Sequence, residues 1–320
     1  MAFRSTLLAA ACLLPSIAAC GGDDGEGNVV PEGTHYHYVA NKVFVPTTNT
    51  QAREYGLDLN KDGTVDNQLG MVLSTLGSMG FDIQMTLDEA VKEGSIILLA
   101  DFQTKDFMNT TAAGVQVFLG ANPTPPACNG SADTTCGHHL DGNASFDIAQ
   151  GSPTNAALGG KVVNGTFTGG PGNLSLQIAL GGTEAIQLDL IGARAKGSSI
   201  TETQIGSGTT GGMIFAGAIT KEDIDTKVIP AIQTQLVPTI ERDCPNATGP
   251  TCVCMDGSTG KTILGLFDAN DDCSVSVDEI KTNSLIVSLL SPDVTVDGKM
   301  ALSLGVKATA VKATYTAPGQ

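Results

Sequence analysis

The chain has no tryptophan, and aromatic residues fill only 4% of its 320 positions. Stacked indoles that would grip a sugar are therefore missing, as are the aromatic girdles that seat a membrane-spanning β-barrel. Basic residues are also scarce: 17 Lys and Arg stand against 33 Asp and Glu, a formal charge of −16. Such a surface repels nucleic acid and anionic headgroups and attracts divalent cations. Beyond the first twenty residues no apolar run reaches the roughly eighteen residues that a spanning helix needs. What the chain does have is glycine, 39 residues of it, and 41% hydrophobic positions beside 16% charged ones. That balance belongs to a folded globular body.

Met1 to Arg4 make a short basic start, and an apolar run from Leu7 to Ala19 ends at Cys20. This is the layout of a secretory signal, with a core too short to span a bilayer. Ile17, Ala18, Ala19 and Cys20 resemble the lipobox of bacterial lipoproteins. The resemblance implies a diacylglyceryl group on the Cys20 thiol and cleavage that leaves Cys20 as the N-terminus. The alternative is an ordinary signal cut after Ala19, with Cys20 joining a disulfide. Residues 1–19 are thus read as the signal and residues 20–34 as a lipidated cysteine with a flexible acidic linker. Residues 35–320 are read as one β-rich globular domain. Loss of Arg4 leaves 16 basic residues against 33 acidic, or −17. The expected partner is a membrane, held through the lipid, and the expected place is the cell envelope. Gly21 rather than Asp follows the cysteine, which by enterobacterial sorting logic favours the outer membrane, on its periplasmic or surface side.

Of 8 cysteines, Cys12 leaves with the signal and Cys20 takes the lipid. Cys128, Cys136, Cys244, Cys252, Cys254 and Cys273 remain, an even set that in an oxidising compartment predicts disulfides throughout. Local closure favours Cys128 with Cys136, and the expected remaining pairs are Cys244 with Cys252 and Cys254 with Cys273. Zinc at Cys252 and Cys254 is the alternative, but a C-x-C without a matching pair argues against it.

Alternation and glycine-bounded runs predict many strands. Leu174, Leu176, Ile178 and Leu180 alternate with polar or small residues, and the pattern resumes at Ile186, Leu188 and Leu190, an antiparallel pair. Further strands are expected at His35–Pro46, Ser95–Phe102, Gly114–Leu119, Ala144–Ala149, Val162–Thr168, Ser198–Ile205 and Met213–Ile219. In the tail, Met300 to Val306 and Val311 to Tyr315 alternate with opposite parity, which predicts a bulge or turn between them. Helices are expected from Leu69 to Met79, from Ile83 to Val91 with Gly94 as the stop, and after a Thr220 cap. Pro230 and Pro238 should kink or break the last one. The class is β-rich α+β: an antiparallel sandwich or open barrel with a few packed helices, including one EF-hand-like helix–loop–helix.

Two acidic loops carry the strongest chemistry. Calcium takes six to eight oxygens at short range, which a loop supplies by alternating carboxylates or amides around a sharp turn. In the segment 268–279, Asp268, Asn270 and Asp272 fill positions one, three and five. Ser274 offers its carbonyl at seven, Ser276 acts directly or through water, and Glu279 at twelve can be bidentate. Cys273 stands where glycine is expected, at a position that needs positive φ, and a disulfide there could offset the strain. In the segment 58–69, Asp58, Asn60, Asp62 and Thr64 follow the same spacing, with Gly63 at the turn. Its twelfth residue is Leu69, so Asp66 or a distant carboxylate must complete the shell. The competing reading of both is a solvated Asp/Asn-rich turn.

Other constellations carry less. His35 and His37 share a strand face, with no carboxylate partner identifiable in sequence. His138 and His139 are adjacent and should point apart. Gly260, Lys261 and Thr262 end like a phosphate loop, but Met255 stands where its first glycine belongs.

The stretch Tyr55–Gly70, YGLDLNKDGTVDNQLG, resembles a segment recurring in exported proteins and lipoproteins of myxobacteria and related bacteria. Cys254 to Asp278 is similar to the same group. The resemblance implies export and calcium and carries no particular activity. The reading that follows is a membrane-tethered, calcium-stabilised envelope protein that acts by binding or as structure, its protein or small-molecule ligand unnamed by the sequence. Its rival is an exported hydrolase using carboxylates in a cleft of the β-domain. A concave pocket with buried, proton-holding carboxylates favours the enzyme, and a filled core favours binding or structure.

Overall fold

The computed structural model describes residues 29–78, 83–153, 157–178, 186–245 and 252–318. The signal, Cys20 and the acidic linker up to residue 28 lie outside the described residues. In chain order the first elements are β1 (Thr34–Phe44), α1 (Asn49–Glu54), α2 (Gln68–Ser78), α3 (Ile83–Glu93), β2 (Leu98–Thr104), β3 (Asn109–Thr124) and β4 (Ser145–Ile148). Then come β5 (Ala157–Val163), β6 (Thr166–Ile178), β7 (Ile186–Ser198), β8 (Gln204–Ile205), β9 (Gly212–Thr220), α4 (Lys221–Asp223) and α5 (Ile229–Asp243). The last are α6 (Thr259–Phe267), α7 (Val277–Thr282), α8 (Ser284–Leu289), β10 (Val294–Val296) and β11 (Lys299–Lys312).

Strands β1, β2, β3, β5, β6, β7, β9 and β11 pair antiparallel in that order, and β11 pairs back onto β1. The β-rich class with a few helices is as expected, but the sheet is neither a sandwich nor open: eight strands close a barrel. Closure rests on β11. It pairs with β9 through Ala301–Ala308 and with β1 through Lys307–Lys312, a stagger that tilts the strands and joins the two edges. Inward and outward residues alternate in an open sheet as they do in a closed one, so periodicity alone does not separate the two.

The barrel is filled. Tyr38, Phe102, Phe167, Leu174 and Leu188 are all but inaccessible and belong to one apolar cluster. The apolar void among the inward residues Ala40, Leu98, Val117, Phe215 and Ala308 is only about 40 Å³. The same cluster takes in Leu73 of α2, Leu87 and Val91 of α3, and Leu236 and Ile240 of α5. These helices therefore pack onto the barrel rather than standing apart from it. The outward face is mixed: Gln116, Lys161 and Lys196 are polar, whereas Val39, Leu99 and Phe118 are apolar and covered by the tail. Among the described residues no helix is long and apolar enough to cross a membrane.

Several local expectations change. Val162–Thr168 is not one strand: Asn164 and Gly165, both at positive φ (50° and 75°), turn β5 back onto β6. Asn-Gly is a strong hairpin signal, here hidden inside an apolar run. Ser198–Ile205 is likewise the end of β7, a turn and the short β8. The parity change in the tail is neither a turn nor a bulge in β11. Leu302, Leu304, Val306, Ala308 and Ala310 point into the barrel, whereas Ala313 and Tyr315 join Val39, Leu99, Phe118 and Phe146 in a second cluster outside the wall. The register shift lies across the ladder, in β1 between Ala40 and Lys42. Ahead of Pro230 the helix widens into a π turn over Ile224–Val228, a break of the kind the prolines imply. Residues 29–33, assigned to the linker, lie against the barrel: Glu32 N–H donates to the Ala112 carbonyl at 3.1 Å, and Gly159 has no side chain where the Val29 carbonyl passes.

Candidate metal centres

The first acidic loop joins α1 to α2, and the second joins α6 to α7. They fold alike. In the first, Asp58 accepts from the N–H groups of Asp62 (3.2 Å) and Gly63 (2.8 Å), Asn60 Oδ1 accepts from Asp62 N–H (3.0 Å), and Asp62 Oδ1 accepts from Thr64 N–H (2.7 Å). In the second, Asp268 accepts from Asp272 (3.0 Å) and Cys273 (2.8 Å), Asn270 from Asp272 (2.9 Å), and Asp272 from Ser274 (2.8 Å). Positions four and six are left-handed in both: Lys61 and Gly63 at φ 62° and 87°, Asp271 and Cys273 at 57° and 67°. The side chains at positions one, three and five are thus engaged by N–H groups of their own loop, and among the described residues the acids of neither loop come together as a three-carboxylate cluster at ligating distance. The glycine-like conformation at Cys273 is held by a side chain that is cross-linked elsewhere.

The closing acid differs between the loops in sequence but not in place. Glu279 accepts from the N–H of Ala269, position two, at 3.0 Å, and Asp66 accepts from the N–H of Leu59, also position two, at 2.8 Å. Asp66, three positions earlier and one methylene shorter, thus makes the same position-two contact as Glu279. Asp66 is buried, and its carboxyl is pushed up by that burial and further by the Asp293, Asp62 and Asp58 carboxylates, against the pull of the Leu59 N–H. Asp62 is held down by the Thr64 N–H and the Asn60 amide, and Asp272 by the Ser274 hydroxyl and N–H. At Glu279 burial pushes up, but donors from Ser276, Ala269 and Asn270 outweigh it and the net direction is down. Ser276 serves a second purpose: its hydroxyl caps α7, accepting from Glu279 N–H at 3.2 Å, while Glu279 Oε2 accepts from Ser276 N–H at 2.9 Å.

Each loop is bolted to the body. Next to the first, Asn67 is buried; its Nδ2 donates to the carbonyls of Ala52 (2.9 Å) and Gly305 (3.0 Å), and its Oδ1 accepts from Gly70 (3.0 Å) and Gly305 (2.8 Å). One amide therefore joins α1, α2 and β11. Gly305 is necessarily glycine, because a Cβ there would lie 2.2 Å from the Tyr55 carbonyl. The second loop is held by Gln233 of α5, which donates to the Val275 carbonyl at 3.1 Å, and by Asn283, which donates to the Leu266 carbonyl at 2.7 Å.

Disulfides complete that second seat. Cys128 pairs with Cys136 as expected. The other two pairs are exchanged: Cys244 joins Cys254, and Cys252 joins Cys273. The backbone explains the exchange. Met255 N–H donates to the Asp243 carbonyl at 2.9 Å, which lays Cys254 beside Cys244 at the end of α5. Cys252 is then left against the loop, its sulfur 3.8 Å from Asp268 Oδ2. Cys252, Asp268 and Cys273 lie close enough to hold a metal, but both sulfurs are spent in the disulfide, so neither is a thiolate ligand.

No protein-family model, curated protein or solved structure matches this chain.

The fold also supplies a partner that sequence reading missed. The His35–His37 face of β1 lies beside Asp101 of β2, which pairs directly with His37. His35 Nδ1 is 2.8 Å from Asp101 Oδ2 and His37 Nε2 is 3.9 Å from Oδ1, while Tyr315 stacks on His37 with centroids 4.4 Å apart. Only strand pairing could reveal this, since 66 residues separate His35 from Asp101. His138 and His139 do point apart: His138 meets Asp133 at 3.4 Å, and His139 is buried beside Phe146.

Proposed function

We propose that the chain is an exported lipoprotein, tethered through Cys20, whose filled barrel is braced by two calcium ions and presents its outer surface for binding or structure in the cell envelope. One observation carries the calcium reading. Two loops far apart in the chain share the same left-handed positions, the same side-chain-to-backbone hydrogen bonds and the same position-two contact to an acid. Asp58, Asn60, Asp62 and Asp66, with the Thr64 carbonyl, form the first shell; Asp268, Asn270, Asp272, Glu279 and the Ser274 carbonyl form the second, an EF-hand-like loop between α6 and α7. The Asp58 and Asp62 carboxylates disfavour the charged form of Asp66, and a divalent cation would remove that repulsion. Such sites in exported proteins are structural braces rather than switches. The filled barrel supports binding or structure over catalysis. So does Asp66, the carboxylate pushed up by burial, because it belongs to a loop rather than to a cleft.

The test is thermal unfolding of the mature chain in chelator and in millimolar calcium. A rise in melting temperature with calcium is expected, and an unchanged melting temperature contradicts the reading. For the tether, metabolic labelling with a radiolabelled fatty acid should mark the native chain and not Cys20→Ala; equal labelling of both would refute it. The hydrolase reading draws on the pairing of Asp101 with His35. It requires an ester, amide or glycoside substrate whose turnover disappears in Asp101→Asn.

A further inference from the structure

Outside the barrel wall lies a cleft of about 310 Å³ that none of the roles above uses. Its floor follows from strand register. Lys196 of β7 pairs with Ile214 of β9, Ile214 with Lys307 of β11, and Lys307 with Phe44 of β1, one outward row across four strands. The two lysines therefore stand two strand spacings apart, about 10 Å at the backbone, on either side of Ile214. Gly211 and Gly212 open the rim, while Glu54 and Tyr55 close the opposite side.

Lys307 is pre-oriented. Its Nζ donates to the Thr209 carbonyl at 2.9 Å and sits 5.6 Å and 6.0 Å from the ring centres of Phe44 and Tyr55. Among the described residues neither Lys196 nor Lys307 forms an ion pair, and Glu54 bridges to neither. This is a local inversion of charge. A chain with 33 acids and 17 bases turns two uncompensated ammonium groups into one concavity, with a single carboxylate at its edge. Solvated surface lysines need no cavity, and here the half-buried Lys307 is held in place by a carbonyl and two rings. The volume falls at the lower end of the range for small-molecule sites.

We propose that this cleft binds a small organic anion, a carboxylate or phosphate ester, whose charge lies between Lys196 and Lys307 and whose body rests on Ile214 and Tyr55. This names a ligand class for the binding reading above and draws nothing from the acidic loops. The titration is therefore run at fixed calcium and can fail while the thermal test succeeds. Citrate and glycerol 3-phosphate are the two probes, with glycerol as the neutral control, followed by backbone amide NMR shifts. The expected result is saturable movement at Lys196, Gly211, Gly212 and Lys307 with at least one anion, a Kd on the order of 1 mM that weakens with added salt, and none with glycerol. Citrate alone marks a carboxylate site and glycerol 3-phosphate alone a phosphate site; either supports the proposal. Lys196→Gln, an exposed change that leaves the fold intact, should weaken binding about tenfold, and Lys196→Gln with Lys307→Gln should abolish it. No saturable movement with either anion overturns the proposal, as does movement that Lys196→Gln leaves unchanged.

Discussion

Asn67 carries more structure than any other single side chain near the first loop. Four hydrogen bonds from one buried amide leave two carbonyls and two N–H groups unsatisfied if it is removed. Asn67→Ala should therefore cost roughly 2–4 kcal/mol, read as a lower denaturant midpoint at unchanged slope. Asp243 makes a second residue-scale test. The Arg242 guanidinium, and then the Gly260 N–H at 2.8 Å, hold its carboxyl below the ordinary range. The folded value lies under the unfolded one, so its contribution is present above about pH 4 and is lost as pH falls through the folded value. Urea midpoints measured downward from neutral pH should decline in acid, and Asp243→Asn should flatten part of that decline. At this scale sequence spacing singled out the alternating loop residues, whose shared hydrogen-bond pattern the structure shows, and offered Asp66 as a candidate acid. It could not see the contact of Asp66 with the Leu59 N–H, nor the Asp101 that strand pairing sets beside His35. Contacts between neighbours in the chain are written in spacing, and contacts across a sheet are not.

Among the elements, the acidic loops behave as two copies of one design with different closures. Asp66→Asn and Glu279→Gln should each remove one calcium equivalent and leave the other, by calorimetry. The second loop depends also on its cross-link, because Cys273 takes a left-handed backbone that a side chain with a Cβ resists. Replacing Cys252 and Cys273 together by Ser should destabilise the chain by about 3 kcal/mol and weaken calcium at that loop, leaving the Asp58–Asp66 loop intact. Peptide mapping with partial reduction should recover Cys244 with Cys254 and Cys252 with Cys273. Spacing alone does not assign these pairs, because a backbone hydrogen bond from Met255 to Asp243 at the end of α5 decides which cysteine meets Cys244. The Asn164–Gly165 hairpin was missed for a related reason: apolar residues on both sides read as one strand until the turn is given its own weight.

For the molecule as a whole, β-richness and the placement of α2, α3 and α5 were legible in alternation and in capping residues, whereas α1 and the closure of the barrel were not. It depends on which strand β11 meets at each edge, and on the tail leaving the inner core to cover the outer wall with Ala313 and Tyr315. The result is a filled barrel whose helical attachments carry the acidic loops, so on the calcium proposal a cation at each loop would brace the junction between helices and barrel. Calcium calorimetry on the mature chain tests this account most directly. It predicts two equivalents bound per chain, reduced to one by either Asp66→Asn or Glu279→Gln. A chain that takes up no calcium, or whose stoichiometry neither substitution changes, would contradict it.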